Sequence, residues 1–322
     1  VPAEADKIIG IGSSSLRLIS YLDAVDKVVG VEQSELEDNV TCSYRHVNHD
    51  TFKDLPVIGD GGSKGTTPNE EAIMQVAPDV IFASIDKDAA DALQEKTGIP
   101  VVCLTLSDIV FDQVFYDNVN LMGDIVGKRD RAEEIVAYMQ DTQADLEKRT
   151  AGIADADRIT AYAAGISFRG GHGFAGTEAH FPPFEETNVQ NIADVEGANG
   201  AFDIDLEKVA AAQPDCIFVE GGNLPLIKED YDANPAYFAA LDAVQDKKTY
   251  TLISYRFYAT NIELALANCY QVGAVAYPEQ FKDVDPTQKL DEITEFFLGK
   301  KLSGDLSAEG YEFKQVDLAN IA

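Results

Sequence analysis

The sequence predicts an α/β fold with parallel sheets, arranged as two similar lobes on either side of one long helix. Three observations carry this. Short, continuously apolar strand-like runs alternate with helical stretches, the pattern of parallel strands covered on both faces. Asp130–Thr150, just before the midpoint, reads as one helix of about 20 residues, roughly 30 Å at 1.5 Å per residue. A helix, a Pro-Asp turn and a strand recur in that order on both sides of it.

In chain order, Lys7–Gly12 (KIIGIG) is a buried strand, and Ser13–Ser15 opens a helix through Leu16, Leu18, Ile19 and Leu22. Lys27–Glu32 (KVVGVE) is a second strand. Asn39–Leu55 reads as polar and irregular, carrying Tyr44, Arg45, His46 and His49. Val57–Asp60 leads into the glycine-rich Gly61–Gly65, and a helix runs from Asn69 to Val76, stopped before Pro78. Asp79–Ala83 (DVIFA) and Pro100–Leu104 (PVVCL) are further strands, and Phe111–Val126 is helical until Gly127-Lys128 breaks it.

Asp130 is expected to N-cap the long helix, with Glu133 completing a capping box. Ala132, Ile135, Val136, Met139 and Leu146 then form one narrow apolar stripe, and Lys148 and Arg149 suit the C-terminal end of the dipole. Beyond it, Arg158–Ala164 (RITAYAA) is a strand and Phe168–Glu186 a long polar-aromatic loop. Asp205–Ala211 is a helix, Cys216–Val219 and Thr249–Ile253 are strands, and Asn261–Ala276 and Gln288–Leu298 are the last long helices.

The repeat is specific at several positions. With Pro78 set on Pro214, Asp79 falls on Asp215, Ile81 on Ile217, Phe82 on Phe218 and Glu71 on Glu207. Proline ends each helix because the residue before it is driven out of the helical region. The organisation expected is an N-terminal lobe over 1–111, a connecting helical region over 112–155 with its spine at 130–150, and a C-terminal lobe over 156–322.

At 322 residues and 45% hydrophobic content, the chain has ample material for more than one core. Its formal charge of −31 argues against nucleic acid and against anionic lipid, both of which need a basic face. No run of about 18 apolar residues is present to span a membrane. The opening Val1-Pro2-Ala3-Glu4-Ala5-Asp6 carries no signal peptide and reads as the start of a trimmed or a mature chain, so export stays open. Cys42, Cys103, Cys216 and Cys269 form no C-x-x-C pair and are expected to be buried free thiols.

Seven motifs stand in order along nearly the whole chain: KIIGIGSSS, KVVGVE, LPVIGDGG, PNEEAIMQVAPDVIFAS, GKRDRAEEIVAYM, DLEKVAAAQPDCIFVEGG and NIELALANCYQVGAVAYPEQF. In these the chain resembles the metal-chelate family of ABC-importer substrate-binding proteins, the ferric-siderophore and cobalamin binders. That resemblance implies two Rossmann-like lobes joined by one long rigid α-helix, with a ligand cleft between the lobes and little hinge closure. It implies a monomer outside the cytoplasm, anchored by a segment beyond this sequence, that delivers its ligand to an ABC permease dimer. It places the permease-docking glutamates at Glu71 and Glu207. The ligand expected is an iron chelate, a ferric siderophore first, with haem, cobalamin and molybdate or tungstate as alternatives. No cofactor and no catalytic residue is expected.

In an open parallel sheet, ligands sit beyond the carboxyl ends of the strands. That nominates Ser13 and Ser14 after the first strand. In the C-terminal lobe it nominates the loops Ser167–His180, Glu220–Asn223 and Ser254–Thr260. Arg169 and His172 lie among glycines, and Arg256 lies between Tyr255 and Tyr258. Arginine grips oxyanions through parallel hydrogen bonds, and tyrosine offers a flat wall with a hydroxyl. These five are the ligand candidates, with Tyr44 and Arg45 facing them from the N-terminal lobe. An anionic chelate or metal oxyanion suits such a site, whereas arginines repel a bare cation. His172 and His180, with Glu178, Glu185 and Glu186, lack rigid ligand spacing, so no metal site is assigned. The rival reading is a dinucleotide-binding oxidoreductase using Gly10, Gly12 and the strand-end acid Glu32.

Overall fold

Two four-stranded parallel sheets organise the protein, one in each of two compact units. The computed structural model describes residues 4–62, 65–107 and 109–321. The opening Val1–Ala3 and Ser63-Lys64 of the glycine-rich stretch lie outside the described residues. Unit 1 comprises Val1–Asp141, Phe257–Asn261 and Glu295–Lys300; unit 2 comprises Thr142–Arg256, Ile262–Thr294 and Lys301–Ala322.

In unit 1 the sheet order is Val28–Gly30, Ile8–Ile11, Val80–Ala83, Val101–Cys103. In unit 2 it is Thr249–Leu252, Cys216–Glu220, Thr160–Ala164, Gln190–Asn191. Counted in chain order within each unit, both sheets place the first strand between the second and third, with the fourth outside the third. The central strands are buried along their whole length in Ile8–Ile11, Val80–Ala83 and Cys216–Glu220, which is why they read as unbroken apolar runs.

The repeated phrase is one device used twice. Helix Glu70–Val76 ends on Ala77 at φ 48°, and helix Leu206–Ala212 on Gln213 at φ 44°, both left-handed immediately before the proline. The following aspartates then fasten the first strand of each sheet. Asp79 Oδ2 accepts from the amides of Asp6 (3.0 Å) and Lys7 (2.9 Å). Asp215 Oδ2 accepts from the amide and hydroxyl of Thr160, each at 2.8 Å.

The long helix spans Arg129–Thr150. It begins one residue before the expected cap, so Asp130 lies in the first turn and is not the N-cap; its charge still suits that end of the dipole. Ala132, Ile135, Met139 and Leu146 are buried as the stripe requires, and Val136 is half-buried. Each part is fastened within its own unit. In unit 1, Tyr138 stacks on Phe296 at 4.0 Å, and the Arg131 guanidinium lies 4.5 Å from the same ring. In unit 2, Arg149 grips Asp283 through two nitrogens at 2.7 and 2.9 Å, and Tyr270 donates to Asp145 at 2.9 Å.

Three further expectations need correction. The stretch read as irregular contains helix Ser43–Phe52, whose buried face includes Ser43, Tyr44 and Arg45; a polar buried face leaves no apolar periodicity to read. The supposed long loop Phe168–Glu186 contains strand Gly176–Ala179, antiparallel to Gly200–Asp203, and helix Pro182–Glu185. Cys103 is exposed at the end of an edge strand, whereas Cys42, Cys216 and Cys269 are buried, and all four are free. No described helix is long and apolar enough to cross a membrane.

Candidate ligand-binding site

In unit 1 the chain leaves the first strand through Gly12 at φ 78°, where an added Cβ would lie 2.8 Å from the Ser84 carbonyl oxygen. Ser13 and Ser14 follow, both half-buried. The Ser84 hydroxyl donates to the Ser13 carbonyl. Ser14, at φ 70°, accepts from Arg17 at 2.9 Å. Both serines thus stand at the carboxyl end of the first strand, as expected, and the Ser14 hydroxyl already has a cationic donor.

The rest of this end is built on two buried acids and two buried arginines. Glu32 accepts from the Gly12 amide at 2.9 Å, from the Tyr258 hydroxyl at 3.1 Å and from Thr66. Burial pushes the Glu32 carboxyl up, and these bonds oppose it. Tyr258 also accepts from the Gly62 amide at 3.2 Å, and burial raises its phenol. Glu35 accepts from the Tyr44 hydroxyl and from Arg45 Nε, both at 2.7 Å. The Arg45 guanidinium lies 4.5 Å from the Tyr258 ring, and Arg17 donates to the carbonyls of Phe257 (3.1 Å) and Tyr258 (2.8 Å).

Tyr44 and Arg45, expected to face a ligand, are therefore interior: they are 0% and 2% exposed and bond to Glu35. They form the support beneath Tyr258. Tyr258 itself, expected beside Arg256, packs within unit 1. It holds φ 53° and Ala259 φ 67°, conformations that L residues keep only when surroundings over-determine them; the Arg17 bonds help to do so. Arg17 and Glu35 went unnominated. The one signal for Arg17 is the single charge inside the largely apolar run Leu16–Leu22.

In unit 2 the carboxyl end is closed by Glu220. It is buried at the end of its strand and accepts from the Ser167 amide (3.0 Å), the Ser167 hydroxyl (2.6 Å) and the Ser254 hydroxyl (2.9 Å). Burial raises this carboxyl also. Asn223 ties the same turn by donating to the Gly165 carbonyl at 2.6 Å and to Ser167 at 2.9 Å. Next comes the glycine loop. Arg169 is exposed at φ 53°, and among the described residues it makes no hydrogen bond or ion pair. His172 has both ring nitrogens engaged, Nδ1 with Asp203 at 3.0 Å and Nε2 with the Phe168 carbonyl at 2.9 Å.

Tyr255 is buried, and burial raises its phenol. Arg256 lies 5.2 Å from that ring and is ion-paired with the buried Glu178. The expectation of an open Arg256 flanked by two accessible phenols is thus corrected: its charge already has a carboxylate, one that lies 78 residues away in sequence. Among the described residues, no group of three or more His, Cys, Asp or Glu side chains could hold a metal ion; His180 engages Glu185 at 3.0 Å.

Glu71 and Glu207 are each the second residue of their repeated helix, and both are exposed. Neither carboxylate has a hydrogen bond or ion pair among the described residues, whereas neighbouring Glu70 pairs with Lys96 at 2.7 Å. The dinucleotide reading meets a local obstacle. Glu32 occupies the Gly12 amide, the donor such a loop would turn toward a pyrophosphate.

The family described as periplasmic binding protein matches residues 8–255, well over half of the chain. The iron-uptake system-binding protein of Bacillus subtilis is 27% identical over 246 residues, covering 72% of this chain and 73% of its own. A solved TroA-like periplasmic binding protein from Veillonella parvula superposes with a TM-score of 0.73 at 19% identity, over 98% of this chain and 96% of that one. The molybdate periplasmic binding protein of Haemophilus influenzae, solved with molybdate bound, does so at 0.68 and 19%, over 94% and 95%. At such identities the two structures speak for the fold alone.

Proposed function

The chain belongs to the periplasmic binding protein family, and we propose that its cargo is an anionic metal chelate, a ferric siderophore foremost. Proteins of this family are solute-binding partners of ABC importers and not enzymes; the solute is cargo, not a cofactor. The observation that carries the proposal is Arg169, an exposed cation without a partner among the described residues, in a glycine loop at the carboxyl end of a parallel strand. In a chain of net charge −31, such a cation is a local attractor for an anion. The name of the Bacillus subtilis relative supports iron as the metal. Taken by itself, unit 1 offers Ser13, Ser14 and Tyr258 as proposed ligand contacts, with Tyr44 and Arg45 as interior support; in unit 2, Tyr255 and Arg256 are proposed as support and not as direct contacts.

A second reading is a molybdate or tungstate ion. The same guanidinium suits a tetrahedral oxyanion, and the Haemophilus influenzae protein is named for molybdate. Native mass spectrometry with elemental analysis of protein purified from its own cells separates the two. Iron with a chelator mass supports the first, molybdenum or tungsten the second. Cobalt, a porphyrin band or a nucleotide would overturn both.

Delivery is proposed to run through Glu71 and Glu207, each meeting arginines of a permease dimer in the membrane while the protein acts as a monomer outside the cytoplasm. Replacing both with alanine should abolish uptake and leave ligand affinity intact. Normal uptake by the double variant refutes this role.

A further inference from the structure

The loop that carries Arg169 is closed by a backbone bond from the Phe168 amide to the Gly170 carbonyl (3.1 Å) and by one side chain, His172. The His172 ring stacks on the Phe168 ring at 3.6 Å between centroids and 12° between planes. Its Nε2 lies 2.9 Å from the Phe168 carbonyl oxygen, so residues 168 and 172 are joined at both backbone and ring. Its Nδ1 lies 3.0 Å from Asp203 Oδ1, on the strand Gly200–Asp203. Gly176 of the paired strand sits beneath it, and a Cβ there would collide with the His172 Cβ. Between the two joined residues lie Arg169 at φ 53° and Gly170 at φ 137°, a backbone path that a non-glycine residue keeps only under constraint.

The chemistry of the clamp is restrictive. Both ring nitrogens face oxygen atoms and both are engaged, Nδ1 by the Asp203 carboxylate and Nε2 by the Phe168 carbonyl. Neither nitrogen is then available to a metal. His172 makes no contact that would be needed to hold an anion itself; its contacts hold the segment that presents the guanidinium.

The geometry points to His172 as a positioning residue: through its two ring nitrogens and its stack on Phe168 it fixes the loop that offers Arg169 to an anionic ligand. This rests on the proposed role of Arg169 for its purpose, but the clamp can be tested without any ligand. Trypsin cleaves after Arg169 only when the loop opens, and when opening is fast relative to cleavage the rate follows the population of the open form. His172→Ala should raise cleavage at the Arg169–Gly170 bond about tenfold, which corresponds to about 1.4 kcal/mol of lost closure, with cleavage at other lysines and arginines unchanged. His172→Phe, which keeps the stack and loses the bonds, should cleave nearly as fast. His172→Gln, which keeps a polar group but has its donors on a single nitrogen and no ring to stack, should fall between.

Three results overturn the inference: an unchanged rate at this bond in His172→Ala, a His172→Phe rate equal to that of the parent protein, or a rise shared by every tryptic site, which would mean general destabilisation. Should Arg169→Ala leave ligand affinity untouched while the tryptic result holds, the ligand reading fails and the clamp stands.

Discussion

Units 1 and 2 share a strand order and a Pro-Asp device, and each pairs an arginine with a buried acid, yet only unit 2 adds an exposed arginine in the loop after its first strand. Unit 1 buries Arg17 and Arg45 at 1% and 2% exposure, with Arg45 paired to a Glu35 that is itself 1% exposed. Unit 2 leaves Arg169 exposed without a partner among the described residues and gives Arg256 a buried acid. The residue type is the same; burial and the nearest carboxylate decide its work. A buried, paired arginine shapes the chain around it, here the strained Phe257–Ala259 segment. An exposed, unpaired one in an acidic protein is where an anion is attracted.

The sharpest way to break this comparison is through stability. Arg45→Ala leaves the Glu35 carboxylate buried without its cation, a change that costs about 3–5 kcal/mol. Arg169→Ala should stay within about 0.5 kcal/mol of the parent, as exposed substitutions do. Urea unfolding midpoints check both, and equal midpoints for the two variants would erase the distinction.

A smaller effect probes what the units share. Asp79→Ala and Asp215→Ala each remove a carboxylate that accepts two bonds at the start of a first strand. Each should cost about 1–3 kcal/mol, and near-equal losses are expected if the device is the same. One loss several times the other would show that the repeat is only topological.

A further effect is a pH dependence carried by one buried carboxyl of unit 2. Burial, with like charges at Glu185 and Glu147, pushes the Glu186 carboxyl from the ordinary 4.5 up to about 7, against a hydrogen bond from Gln143. The folded protein then holds a proton that the unfolded chain has released, so stability falls as pH rises from about 4.5 to about 7. Glu186→Gln should flatten that slope in thermal unfolding. A slope unchanged by the substitution would remove Glu186 as its source.

Much of the fold was legible because its strands are buried on both faces and its helices stop at prolines. Ile8–Ile11, Val80–Ala83 and Cys216–Glu220 needed only an apolar run to be seen. Helix Ser43–Phe52 was not legible, because Tyr44 and Arg45 are buried by a charge pair and not by apolar periodicity. At the site, the ends of the first strands were legible from the general placement of ligands on parallel sheets. The pairing of Arg256 with Glu178 was not, since nothing local links residues so far apart. Nor was the assignment of Tyr258, because the chain passes from one unit to the other between Arg256 and Phe257. His172 was visible as a polar residue among glycines, but its two acceptors, one at Asp203, emerge only when the strands pair.

The central claim is that Arg169 holds the ligand. Calorimetric titration of the parent protein and of Arg169→Ala, with the chelate recovered by native mass spectrometry, tests it most directly. Loss of a charged hydrogen bond of about 1.5–3 kcal/mol predicts affinity lower by about ten- to a hundredfold, with an unchanged melting temperature. Equal affinity in the two proteins would contradict it.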